Sequence, residues 1–140
     1  MFGLFKSKKK TERAKILIVD DEPDYITAIQ CRLEWSRYEV ITASNGEEGL
    51  RKVASENPDL VLLDTNMPVM NGHEVLERLK QYSELKNIPV IMVTALCEAE
   101  DIAKASSYGV VDYVAKPFDF TDLVEKIENA LRNSKAEQKV

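Results

Sequence analysis

From Lys15 onward, short runs of branched apolar residues alternate with stretches of helical period, and no other feature of this sequence restricts its fold as much. The runs are Ile16-Leu17-Ile18-Val19, Val40 to Ala43, Leu60-Val61-Leu62-Leu63, Val90-Ile91-Met92-Val93 and Val110 to Ala115. Each is short and rich in residues that pack well on a pleated surface, so each reads as a strand. Four helical stretches separate them and a fifth follows. Such alternation makes neighbouring strands parallel and covers both faces of the sheet with helices. The first, third and fourth runs are purely apolar, as strands buried on both faces must be. Polar residues interrupt the second (Tyr38-Glu39-Val40-Ile41-Thr42) and the fifth (Val111-Asp112-Tyr113), which suits sheet edges. The expected fold is α/β: a doubly wound five-stranded parallel sheet with strand order 2-1-3-4-5, the flavodoxin-like arrangement.

Local signals punctuate the helices. Pro23 suits a first helical position, and Ile26, Ile29 and Leu33 mark one helix face. Asn45 with Glu48 has the pattern of a capping box. Asp119 suits the cap of the last helix, with Phe118 stapling onto Leu123. The expected organisation is a basic tail over 1–14, one folded domain over 15–133 and a second tail over 134–140.

Charge is uneven. The chain carries 19 basic and 24 acidic residues, yet residues 1–15 sum to +5 and the remainder to -10. An acidic body argues against direct nucleic-acid binding and for a cation or a basic partner. Met1 to Phe5 is too short for the apolar core of a secretory signal, and no run approaches the roughly 20 apolar residues of a membrane span. With Cys31 and Cys97 unpaired, the cytoplasm is the expected compartment. Both thiols are expected to be buried or inert, and His73 to be exposed at a helix start. For residues 1–10, a solubilising tail is the simpler expectation. Contact of Phe2, Leu4, Phe5 and the following lysines with an anionic membrane or acidic partner is the less favoured one.

In an open α/β sheet, ligands bind beyond the carboxyl ends of the strands. There the first strand delivers Asp20-Asp21, the third Asp64, the fourth Thr94-Ala95 and the fifth Lys116-Pro117. Clustered carboxylates repel, and a divalent cation resolves the conflict. Oxygen ligands without Cys or His favour Mg²⁺ (or Mn²⁺), which commonly keeps a phosphate among its ligands. The Lys116 ammonium and the Thr94 hydroxyl suit phosphate oxygens, and a carboxylate such as Asp64 can itself accept a phosphoryl group.

Taken in order, Asp20-Asp21-Glu22-Pro23, Asp64-Thr65-Asn66-Met67-Pro68, Met70-Asn71-Gly72, Thr94-Ala95 and Lys116-Pro117-Phe118 resemble the response-regulator receiver domains of two-component signalling. The resemblance covers roughly residues 15–133. It implies that Asp64 accepts phosphate from a histidine kinase or histidine phosphotransfer protein. It implies Mg²⁺ held by Asp21, Asp64 and the backbone carbonyl of Asn66, with Asp20 assisting. Thr94, Lys116 and the Ala95 backbone would contact the phosphoryl group, and Tyr113 with Thr94 would form the switch. A cis bond before Pro117 is also implied. Such a domain is a phosphoacceptor that assists its own phosphorylation and dephosphorylation, not an enzyme with a separate substrate. With no further domain after residue 133, it is expected to act alone, through a face around Leu96, Ile102, Val111, Tyr113 and Phe120 on a downstream protein. Departures are Asn71 where Asp is frequent, Val110 after Gly109, and Leu96 two residues after Thr94.

Other classes fit less well. A flavin binder needs a hydroxyl- and glycine-rich loop where Asp20-Asp21-Glu22 stands. An Asp-nucleophile phosphatase carries its acceptor on the first strand in an Asp-x-Asp pattern. The remaining alternative is a receiver-like interaction scaffold working without phosphorylation.

Overall fold

The structure is a computed structural model that describes residues 13–65, 67–95 and 99–139, the side chains of 99–101 and 136–139 excepted. Five strands, β1 (Lys15–Val19), β2 (Glu39–Ala43), β3 (Leu60–Leu63), β4 (Val90–Thr94) and β5 (Asp112–Ala115), form one parallel sheet in the order β2-β1-β3-β4-β5. The helices are α1 (Pro23–Trp35), α2 (Gly46–Glu56), α3 (Gly72–Lys80), α4 (Ala99–Ser107) and α5 (Phe120–Lys139). The expected class and strand order hold, with β2 and β5 at the edges.

Pleating divides the core into two layers. Ile16 and Ile18 of β1 point to the layer under Ile29 and Leu33 of α1 and Leu123 and Ile127 of α5. Leu17 and Val19 point to the opposite layer, with Val53 of α2, Leu76 and Leu79 of α3 and Ala105 of α4. All of these side chains are removed from water, and this burial is the main force holding the helices on the sheet.

Pro23 stands at the start of α1, with Glu22 as its N-cap residue. Asn45 caps α2 by accepting the Glu48 N–H at 2.8 Å. Glu48 reaches one residue further back than a capping box requires, taking the N–H and hydroxyl of Ser44. That hydrogen bond from the Ser44 backbone is the main reason the Glu48 carboxyl lies below the usual glutamate range. The reciprocal box occurs on α3, between Asn71 and Glu74, so Asn71 does its work at a helix start. Asp119 takes the Thr121 N–H at 2.8 Å and so caps α5. That helix continues through Lys139, so the segment expected as a C-terminal tail is helical; its Lys, Ala, Glu and Gln residues are strong helix formers. Among the described residues no helix is long and apolar enough to cross a membrane.

Candidate functional site

Sheet register assembles the site. Val19 pairs with Leu63, so Asp20 and Asp64 leave adjacent strands side by side. The Asp64 N–H donates to the Val19 carbonyl at 2.9 Å, and the Asp20 N–H to that of Ala43 at 3.1 Å. On the other side Thr94 pairs with Ala115, and the Lys116 N–H donates to the Thr94 carbonyl at 2.8 Å. The Lys116–Pro117 bond is cis.

Lys116 then reaches across the sheet end. Its Nζ donates to Asp20 Oδ2 at 2.8 Å and lies 3.3 Å from Glu22 Oε1 and 3.7 Å from Asp64 Oδ2. The Lys116, Asp20 and Asp64 side chains are only 4%, 3% and 5% exposed. Burial pulls the Lys116 ammonium down, but the Asp20 hydrogen bond, the charges of Asp64 and Asp20 and the Glu22 hydrogen bond together raise it above the usual lysine value. The ammonium is therefore charged across the physiological range. The second Asp20 oxygen accepts the Glu22 N–H at 2.9 Å, which fixes the carboxylate between strand and helix.

Carboxylate oxygens of Asp20, Asp21, Glu22 and Asp64 all lie within 4.8 Å of one another, with Asp20 and Asp64 buried and Asp21 and Glu22 exposed. Four carboxylates thus face one ammonium, and the donors are all oxygen. This chemistry fits a small hard dication such as Mg²⁺. Thr94 is buried at the same sheet end and Ala95 is exposed beside it. Asn66, the third expected metal ligand, lies outside the described residues, as do Leu96 and Cys97.

Two participants escaped the sequence reading. Glu22 stands in the sequence only as part of the Asp20-Asp21-Glu22-Pro23 motif, and Tyr25 belongs to none of the motifs. The Tyr25 ring centroid lies 4.1 Å from Lys116 Nζ, a cation–π contact, and Tyr25 leans on Phe118 at 6.2 Å. The available signal was spacing: Tyr25 is three residues after Glu22, hence on the same side of α1.

Tyr113 is half-buried on β5. Its hydroxyl donates to the Ile102 carbonyl at 2.5 Å and lies 3.1 Å from Ser106 Oγ, which ties the edge strand to α4. One sequence expectation fails and another is narrowed to one of its two alternatives. His73 is buried, because it precedes Leu76 by three residues and shares its inward side of α3. Cys31 is exposed, because it falls opposite the Ile29–Leu33 stripe of α1.

The loop between Asp64 and α3 contains a strained residue. The Met70 N–H donates to the Pro68 carbonyl at 2.8 Å, closing a γ-turn about Val69, whose φ is +69° and whose side chain is 95% exposed. A β-branched residue there costs about 1–2 kcal/mol. Val69→Gly is expected to stabilise the fold by about 1 kcal/mol in urea unfolding, since glycine takes a positive φ without the Cβ clash. Equal or lower stability would refute the strain.

The family profile described as the response regulator receiver domain matches residues 16–128. The alkaline phosphatase synthesis transcriptional regulatory protein PhoP of Bacillus subtilis is 42% identical over 120 residues, covering 86% of this chain and 49% of that protein. The chain spans about half the length of the first curated relatives it matches. A CheY-like receiver domain protein from Methanospirillum hungatei superposes with a TM-score of 0.84 at 34% identity, covering 89% of this chain and 98% of that one. Chemotaxis protein CheY4 of Vibrio cholerae gives 0.81 at 30%, covering 84% and 98%. With a match that runs from the first strand into the last helix and takes in every strand end described above, this chain belongs to the response regulator receiver domain family.

Proposed function

We propose that this chain is a phosphorylation-dependent switch of a two-component phosphorelay, working in the cytoplasm, in which Asp64 accepts a phosphoryl group from the phosphohistidine of a histidine kinase or histidine phosphotransfer protein. The observation that carries this reading is the Asp64 carboxylate, 3.7 Å from a buried ammonium and within an all-oxygen acidic cluster at the carboxyl end of the sheet. An Asp64 oxygen attacks phosphorus; the O–P bond forms as the P–N bond of the donor breaks, and the imidazole leaves. Lys116, steered by Asp20 and stacked on Tyr25, holds positive charge where the transferring oxygens gather. The Thr94 hydroxyl and the Ala95 N–H are the donors for the phosphoryl oxygens. Held by Asp20, Asp21, Asp64 and the Asn66 carbonyl, Mg²⁺ would supply the remaining positive charge against those oxygens.

Drawing Thr94 toward the new phosphoryl group changes the space beside Tyr113, and with it the face formed by α4, β5 and α5 around Ile102, Val111, Tyr113 and Phe120. That face is the surface for a downstream protein. Hydrolysis of the aspartyl phosphate within the same site resets the switch.

Incubation with acetyl phosphate and Mg²⁺ tests the reading by intact mass. A gain of one phosphoryl group, absent when Mg²⁺ is chelated beforehand, is the expected result; no gain would leave a phosphorylation-independent scaffold. In a separate titration, Asp21→Ala is expected to weaken Mg²⁺ binding at least ten-fold, roughly the value of one lost charged ligand. Unchanged affinity would remove Asp21 from the ligand set.

A further inference from the structure

We propose that the Lys80 amine, on the wall of a groove at the amino ends of β4 and β5, is a site of covalent acylation by acyl phosphates. The groove holds about 670 Å³ and lies between the end of α3, the segment before β4, the turn after α4 and α5. Pro89, which precedes β4, and Val111 and Asp112 at the start of β5 place it at the opposite end of the sheet from Asp64. Its chemistry does not depend on the proposed phosphorylation.

Among the described residues, Lys15, Lys52, Lys80, Lys116 and Lys126 are the lysines withdrawn from water in part or in full. All but Lys80 stand against a carboxylate: Lys15 against Glu56 at 3.4 Å, Lys52 against Glu48 at 3.4 Å, Lys116 against Asp20 at 2.8 Å and Lys126 against Asp112 at 3.6 Å. A carboxylate beside an ammonium holds the proton on it. Lys80 is in no ion pair among the described residues, and its Nζ donates instead to the Lys86 carbonyl at 2.7 Å. A carbonyl orients the amine but carries no full charge to keep it protonated. Burial therefore pushes the Lys80 ammonium below the usual lysine value, and no carboxylate offsets this. The acids around the groove are committed elsewhere. Glu77, one turn earlier on α3, accepts the Tyr108 hydroxyl at 3.0 Å. Asp112 faces Lys126 and accepts the Tyr113 N–H at 2.8 Å, and Glu84 lines the adjoining groove instead.

The amine is open to attack from the groove. Gly109, with φ +80°, lines the same groove, and a Cβ there would be 3.9 Å from Lys80 Cε and Nζ, so the missing side chain leaves the amine uncovered on that side. A neutral Lys80 amine gives one N–H to the Lys86 carbonyl and keeps its lone pair for nucleophilic attack. That lone pair attacks the carbonyl carbon of an acyl phosphate. The C–N bond forms as the C–O bond to phosphate breaks. Phosphate leaves with that bonding pair and takes up the proton that nitrogen loses, so no metal, oxidant or reductant is required. The exposed Lys86 ammonium, on the same groove, supplies positive charge for the phosphate half. The product amide is neutral and retains one N–H for the Lys86 carbonyl, so acylation removes a charge without removing this hydrogen bond.

The test is brief incubation of the full chain with acetyl phosphate near neutral pH, followed by quantitative peptide mapping. Mg²⁺ is chelated beforehand, so that phosphoryl transfer to Asp64 does not intervene and the outcome is separate from that of the phosphorylation experiment. Lys80 is expected to carry at least about three-fold more acetyl than Lys86, its exposed neighbour in the groove, because acylation follows the unprotonated share of an amine. The preference should vanish in urea, where both lysines are fully hydrated and any difference left belongs to the local sequence. Equal or lower acetylation of Lys80 than of Lys86 in the folded chain would overturn the proposal. So would a preference for Lys80 that persists unchanged in urea, since the fold would then have no part in it.

Discussion

Asp64→Asn is expected to gain no phosphoryl group from acetyl phosphate and Mg²⁺ under conditions where the wild type gains one. The substitution changes little in size but replaces a carboxylate by an amide that is no nucleophile. It also removes one negative charge from a cluster of four carboxylates, three of which share the Lys116 ammonium. Relief of like-charge repulsion means that the variant should fold at least as stably as the wild type without divalent cation. Loss of uptake therefore reports chemistry, and a urea unfolding curve on the same sample checks this. Equal uptake by the variant would move the acceptor elsewhere. Asp21, an exposed carboxylate of the same cluster, would then be the first residue to replace.

The parts of this molecule that were legible in the sequence are those set by period and by strand ends. Purely apolar runs gave β1, β3 and β4 the centre of the sheet, and the interrupted runs gave β2 and β5 its edges. Once that order was read, Asp20, Asp64, Thr94 and Lys116 had to share one end, because parallel strands put all their carboxyl ends together. Less legible were contacts set by side-chain reach. Lys116 touches Glu22 and the Tyr25 ring across more than 90 positions of sequence, and no local pattern announces such a pair. Cys31 and His73 show a different failure. At both positions helical phase, rather than the habit of the residue type, decides burial. The capping box at Asn71–Glu74 is a pattern the sequence itself displays, Asn followed three residues later by Glu.

Gly72→Ala is expected to destabilise the fold by about 2–3 kcal/mol, toward the upper end of overpacking costs because the obstacles are mostly backbone. Gly72 opens α3, directly after Asn71, and its N–H donates to the Thr65 carbonyl at 2.9 Å. This hydrogen bond draws the helix start onto the end of β3. A Cβ at this position would collide with the Asp64 carbonyl oxygen and lie 2.9 Å from Thr65 Cα and 3.0 Å from Met92 Cε. The methionine methyl can turn aside; the two backbone atoms cannot, since the Asp64 N–H is itself bonded to Val19. Either α3 backs away from the sheet, opening space around Leu76 and Leu79, or the Asp64 backbone moves. The second route displaces the Asp64 carboxylate from Lys116, so, on the proposed function, slower phosphoryl uptake should accompany the stability loss. Gly49→Ala is the control. Its Cβ meets the Val19 methyls at 2.9 and 3.0 Å, which are side-chain atoms of a neighbouring strand, so a smaller loss and unchanged uptake are expected. Urea unfolding midpoints and uptake rates of the two variants decide the matter. A loss below about 1 kcal/mol for Gly72→Ala, the scale of an ordinary single substitution, would show that the close approach between α3 and the end of β3 can relax.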